Sequence, residues 1–172
     1  KMYFDKFIGI DWSGDKNNFQ KGISVAECIK GNKVPQIVKS LDYKYWTRTT
    51  LIEWLYKEIN SQRNLLGFDF AFSYPFYDRC SYFPGIKDSP INSEKLWMLI
   101  EDTNRNAKHF YGGEIWASKT YGKFFNSPKL KGLHFSSRRR CTERFAMKKI
   151  LSPSPTFNCV GPGAVGTGTL AG

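Results

Sequence analysis

Histidine is nearly missing from this chain of 172 residues, which has His109 and His134 and no other. That scarcity leaves no readable base for a serine nucleophile such as Ser13 or Ser73, and so argues against a serine hydrolase. It also leaves no Cys/His spacing of the kind that holds zinc. The four cysteines (Cys28, Cys80, Cys141, Cys159) are far apart and form no C-x-x-C pair. A disulfide framework is therefore not expected, and reduced thiols in a cytoplasm are. No apolar run approaches the roughly 18 residues that cross a bilayer, so no membrane-spanning segment is expected. The opening "KMYFDKFIGIDW" is interrupted by Asp5, Lys6 and Asp11, unlike the unbroken core of a signal peptide. A cytoplasmic protein without a membrane partner is the expectation.

Acidic residues are scarce where basic ones crowd. Residues 105–150 hold 12 of the 26 Lys and Arg but 2 of the 15 acids, so almost all of the +11 net charge lies there. Such a stretch attracts a polyanion. Aromatic residues are interleaved with the charges (Phe110, Tyr111, Trp116, Tyr121, Phe124, Phe125, Phe135), and rings of this kind stack on unpaired bases. DNA or RNA is thus the expected partner. Lys119, Lys123, Arg138, Arg139, Arg140, Arg144, Lys148 and Lys149 are its expected contacts, and a merely solvated basic face is the bland alternative.

Residues 4–13 read as a strand, and "FQKGISVAECIKGNKVPQIVKSLDYKYW" as two more joined at Gly31-Asn32. "TTLIEWLYKEIN" has helical spacing, with Thr50 and Glu53 matching a capping box. A fourth strand, the second to carry an aspartate, is expected over residues 65–72, then a loop over 73–92 and a helix capped by Ser93. Residues 108–136 have no clean period and read as an aromatic, basic insertion. A helix from Ser137 through Leu151 and a short strand "TFNCV" complete the order. Three antiparallel strands followed by parallel strands added through crossover helices define an α/β chain. The expected fold is a ribonuclease-H-like mixed sheet flanked by helices, in one domain over 1–172.

Two stretches rhyme: "FIGIDWSG" at residues 7–14 and "LLGFDFAF" at 65–72. Alternation along a strand puts Gly9 and Asp11 on one face, opposite Ile8, Ile10 and Trp12. It does the same for Gly67 and Asp69, opposite Leu66 and Phe68. Each aspartate therefore shares its face with a glycine two residues earlier. On neighbouring strands the two carboxylates can meet over an uncrowded patch. Paired carboxylates repel, and a divalent cation such as Mg²⁺ or Mn²⁺ relieves that repulsion. The alternative is that each aspartate accepts hydrogen bonds from loop amides at a strand end.

On the helix expected over 138–151, Glu143 falls within the arc of Ala146, Met147, Ile150 and Leu151. That position suits a third metal ligand or a partner for a neighbouring arginine. Glu58 lies between Leu51 and Trp54, where a snorkelling glutamate is expected. The ending "VGPGAVGTGTLAG" can offer backbone N–H groups to phosphate, although it matches no P-loop pattern.

"IGIDWSG", "GFDFAFSYP", "RRRCTERF" and "VGPGAVGTGTLAG", in that order, resemble an uncharacterised family of predicted nucleases with a ribonuclease-H fold, domain-of-unknown-function family 429. The resemblance spans residues 8–172. It implies that Asp11 and Asp69 match acids on the first and fourth strands, with Arg140, Thr142 and Glu143 matching an R-x-T-E element. It also implies further strands and a helix with a final acidic ligand. Residues 151–172 hold no acid, so either truncation relative to that family or a last ligand from elsewhere is expected. The expected activity is metal-dependent cleavage of phosphodiester bonds, with Asp11, Asp69 and Glu143 as catalytic and metal-binding residues. A non-catalytic nucleic-acid-binding module and an actin-like-ATPase-type phosphotransferase are the alternatives.

Overall fold

The computed structural model describes residues 3–31 and 34–172. The chain divides into two compact units, Lys1–Asp69 and Phe70–Gly172. No helix among the described residues is long and apolar enough to cross a membrane. Cys80, Cys141 and Cys159 are free thiols.

Among the described residues, the first unit is a four-stranded mixed sheet with one helix. Strands β1 (Lys6–Asp11), β2 (Ser24–Ile29), β3 (Gln36–Val38) and β4 (Asn64–Phe68) lie in the order β3-β2-β1-β4. β2 is antiparallel to both β1 and β3, while β4 runs parallel to β1. The β2–β3 turn begins at Gly31, whose φ of 115° favours a residue without Cβ. Asn32, expected in the same turn, lies outside the described residues.

Helix α1 (Arg48–Ser61) connects β3 to β4. Its cap is Thr47, one turn earlier than the expected Thr50–Glu53 box. The Thr47 hydroxyl accepts from the Thr50 N–H at 3.0 Å, and Thr50 answers by accepting from the Thr47 N–H at 3.1 Å. Leu51 and Leu55 of this helix are buried in a cluster with Ile8, Ile10, Ile23, Val25 and Trp46. Burial of that stripe is what holds the helix. Glu58 does not snorkel alone: Lys6 Nζ lies 2.7 Å from it and 2.9 Å from Glu27. The opposite sheet face, with Phe7 and Leu65, remains exposed.

β4 was expected to reach residue 72 but stops at Phe68. The Asp69 N–H still donates to the Ile10 carbonyl at 3.3 Å. The next ladder donor, Trp12 N–H, is taken instead by the Asp69 side chain at 2.8 Å. The ladder ends because a carboxylate replaces a carbonyl.

The second unit has an aromatic core. Tyr74, Phe83, Phe125 and Phe157 are buried together, with Tyr74–Phe157 and Phe125–Phe157 ring centroids 4.6 and 5.2 Å apart. Helix α2 (Ser93–Asn104) adds Leu96 and is capped by Asn92, which accepts from Lys95 N–H at 2.9 Å; the expected cap was Ser93. Residues 108–136 carry short 3₁₀ turns and isolated bridges at Asn126, yet they supply Ile115, Phe124 and Phe125 to the core.

The helix expected over 138–151 is reduced to α3 (Cys141–Met147), beyond which Ile150 takes a φ of 67°. Phe145 and Met147 are exposed, so no packed stripe extends it. "TFNCV" is not a strand: Asn158 makes a single bridge to Asn126 before Gly161 and Gly163 turn the chain at positive φ. The glycine-rich ending then closes into the short, partly buried α4 (Gly166–Ala171). A Cβ on Gly166 would fall 2.5 Å from the Asn158 carbonyl oxygen, so glycine serves close packing there.

Candidate active site

The parallel pairing of β1 and β4 sets Gly9 beside Gly67 and Ile10 beside Phe68. One step further along the same register, Asp11 and Asp69 are neighbours on the exposed sheet face. The glycines leave an open floor. A Cβ added to Gly9 would meet nothing within 4 Å, and one added to Gly67 would meet only the Ile8 carbonyl oxygen at 3.9 Å.

The two aspartates are held differently. Asp69 accepts the Trp12 N–H, so it makes the strand-end amide contact that was the alternative to metal binding. Asp11 is an exposed residue, but its carboxyl is pushed above the usual aspartate range. Partial dehydration is the main cause, followed by the charge of Asp69 and a hydrogen bond shared with it. The pair therefore interacts, and at neutral pH that interaction is repulsive.

This repulsion has a measurable sign. An acid whose folded-state pKa lies above its unfolded value of 3.8 makes folding less favourable as pH rises between the two. Asp11→Asn is therefore expected to raise Tm at neutral pH, by about 1 °C or more, in chelator-treated protein. That advantage should fade as pH falls below 3.8, where the carboxyl is protonated in both states. Thermal melts across pH measure it; a variant less stable than the parent at pH 7 would show that the two charges do not oppose each other.

The remaining expected ligand is occupied otherwise. Glu143 is buried in the second unit and caps its own helix: the Arg140 main-chain N–H donates to Oε2 at 2.7 Å. The Arg140 guanidinium donates to Oε1 at 3.0 and 3.1 Å. The arginine pairing, one of two readings open in the sequence, is what surrounds this carboxylate. No group of three or more His, Cys, Asp or Glu residues suited to a metal is gathered among the described residues.

The expected nucleic-acid contacts divide into two sets. Lys119, Lys123, Arg144, Lys148 and Lys149 are exposed. Arg138, Arg139 and Arg140 are half-buried, and Arg138 is taken up internally by Asp78 and three carbonyls. The rings expected to stack on bases are largely packing groups. Phe124 and Phe125 are buried, Trp116, Tyr121 and Phe135 pack against the same core, and Phe110 is exposed.

Two further residues act on the site's first loop without having been singled out in the sequence. Arg48 and Gln20 are buried polar side chains that bond to main-chain carbonyls of residues 13–17. Arg48 was detectable: it shares its helix face with Leu51 and Leu55, and a cation on an apolar stripe needs a partner. Searches of protein families, curated proteins and solved structures find no match to this chain.

Proposed function

We infer that this chain is a divalent-metal-dependent nuclease built on a ribonuclease-H-like sheet. The observation that carries the reading is the register that makes Asp11 and Asp69 neighbours over the Gly9–Gly67 floor. The donor set suits the cation: Mg²⁺ is commonly held by one or two carboxylates, with water and substrate phosphate completing its shell. The upward shift of the Asp11 carboxyl is also what an unscreened carboxylate pair undergoes. Asp11 and Asp69 would hold Mg²⁺ or Mn²⁺, which when bound supplies charge stabilisation at the phosphodiester and acidifies a water. The Trp12 N–H orients Asp69, and the exposed sheet face gives a phosphate room to approach.

The test is cleavage of end-labelled RNA and DNA by the purified chain with Mn²⁺, beside an Asp11→Asn, Asp69→Asn double variant. Cleavage by the parent alone is expected, falling to background in chelator. Equal cleavage by both proteins would remove the reading. A second reading, a module that binds nucleic acid without cutting it, gains from the engagement of Glu143 by Arg140. It predicts no cleavage, with binding that weakens steeply as salt rises.

A further inference from the structure

The loop that follows β1 is supported from inside the first unit. Arg48, 2% exposed, donates through Nη2 to the Ser13 carbonyl at 2.6 Å and the Asp15 carbonyl at 2.9 Å. Gln20, 1% exposed, donates through Nε2 to the Asp15 carbonyl at 3.2 Å and to the Asn17 carbonyl. Three alternate carbonyls, of residues 13, 15 and 17, are thus drawn toward buried donors.

A trans peptide is planar, with its C=O and the following N–H pointing in opposite directions. Drawing in those carbonyls therefore turns the N–H groups of Gly14, Lys16 and Asn18 away from the support. Among the described residues, none of these three N–H groups has an acceptor. The intervening ones are closed: Asp15 N–H donates to Ser13 Oγ at 3.2 Å, and Asn17 N–H to Asp15 Oδ1 at 2.9 Å. Asp15 Oδ1 also accepts from Asn17 Nδ2 at 2.8 Å, so this carboxylate is bound within the loop. Lys16 is exposed and brings a cation to the same loop. Burial lowers the Arg48 guanidinium to about 10, so it is charged at neutral pH and places positive charge behind the loop. Outward N–H groups on alternate residues, with the carbonyls between them withdrawn, leave the loop presenting donors rather than acceptors to an anion.

We propose that residues 13–18 form a phosphoryl cradle, in which the N–H groups of Gly14, Lys16 and Asn18 and the Lys16 ammonium bind a phosphate oxyanion. The cradle begins two residues after Asp11. Its assignment to a nucleic-acid phosphate rests on the nuclease reading above, whereas its donor geometry does not. The oxyanion could belong to an internucleotide diester or to a terminal phosphate, and the two can be separated by the probe.

Amide-resolved NMR of the full chain, in chelator, is the experiment. It compares titration with the dinucleotide TpT, which carries only a diester, against thymidine monophosphate, which carries only a terminal phosphate. Saturable shifts at Gly14, Lys16 and Asn18 with either probe are expected, and the tighter probe identifies the source. The exposed substitution Lys16→Met should weaken that binding about three- to tenfold while leaving the rest of the spectrum in place. Unmoved loop amides up to about 20 mM of both probes, or unchanged affinity in Lys16→Met, would overturn the cradle. Mn²⁺ broadening at Asp11 and Asp69, recorded separately, reads the metal pair. Broadening with unmoved loop amides refutes the cradle and spares the nuclease reading; shifts without broadening do the reverse.

Discussion

Replacing Arg138 by alanine should destabilise the protein by about 1–3 kcal/mol, the usual cost of leaving partly buried hydrogen-bond partners unsatisfied. The Arg138 side chain is 8% exposed. Nε and Nη2 grip Asp78 at 2.8 and 2.7 Å, while Nη1 and Nη2 donate to the carbonyls of Tyr82, Pro75 and Ser81 at 2.6 to 2.8 Å. Alanine would strand one carboxylate and three carbonyls together. Hydrogen bonding from Arg138 holds the Asp78 carboxyl below its ordinary 3.8. An acid depressed in this way contributes stability above 3.8, and that contribution is lost as pH falls through the folded-state value. The gap between parent and variant should therefore narrow in acid. Urea unfolding at pH 7 and in acid measures both quantities. A variant as stable as the parent but weaker on nucleic acid would restore Arg138 to the role first expected from the sequence, that of a phosphate contact.

The second large effect is expected at a residue that has no side chain. Gly9→Val should leave the fold intact, because a Cβ there meets nothing within 4 Å and valine suits a strand better than glycine. Stability should hold or rise by up to about 1 kcal/mol. In the proposed nuclease, cleavage should fall about 100-fold, because the branched side chain would stand on the floor beside the carboxylates and displace a phosphate by an ångström or more. Thermal melts and the Mn²⁺ assay on the same preparation separate the two effects. Undiminished cleavage would mean that substrate does not approach over the glycines.

The contrast between these two positions marks what the sequence could convey. The twin G-x-D stretches were legible because strand alternation is strict. Once both segments are strands, glycine aligned with glycine brings aspartate to aspartate. The mixed sheet itself was legible for the same reason. The second unit was not. Its rings sit among arginines and lysines in the sequence, and composition does not distinguish a ring that stacks on a base from one that fills a core. The closely spaced glycines were the available sign. A Cβ at Gly112 would fall 2.4 Å from that of Leu170, and one at Gly122 would fall 2.3 Å from the Trp116 carbonyl oxygen. Such contacts belong to packed interiors. Glu143 shows the reverse limit: the helical wheel left a metal and an arginine open as its positive partner, and Arg140, three residues before it, pairs with it.

The Trp12–Asp69 bond joins residues 57 positions apart, across the hairpin and the whole of α1. A nascent chain that has not yet delivered β4 therefore possesses neither the mutual repulsion of the two acids nor any affinity they confer together. An ion held by the pair as proposed would bind only after the sheet has closed, so its concentration should shift the folding equilibrium without helping the chain to begin.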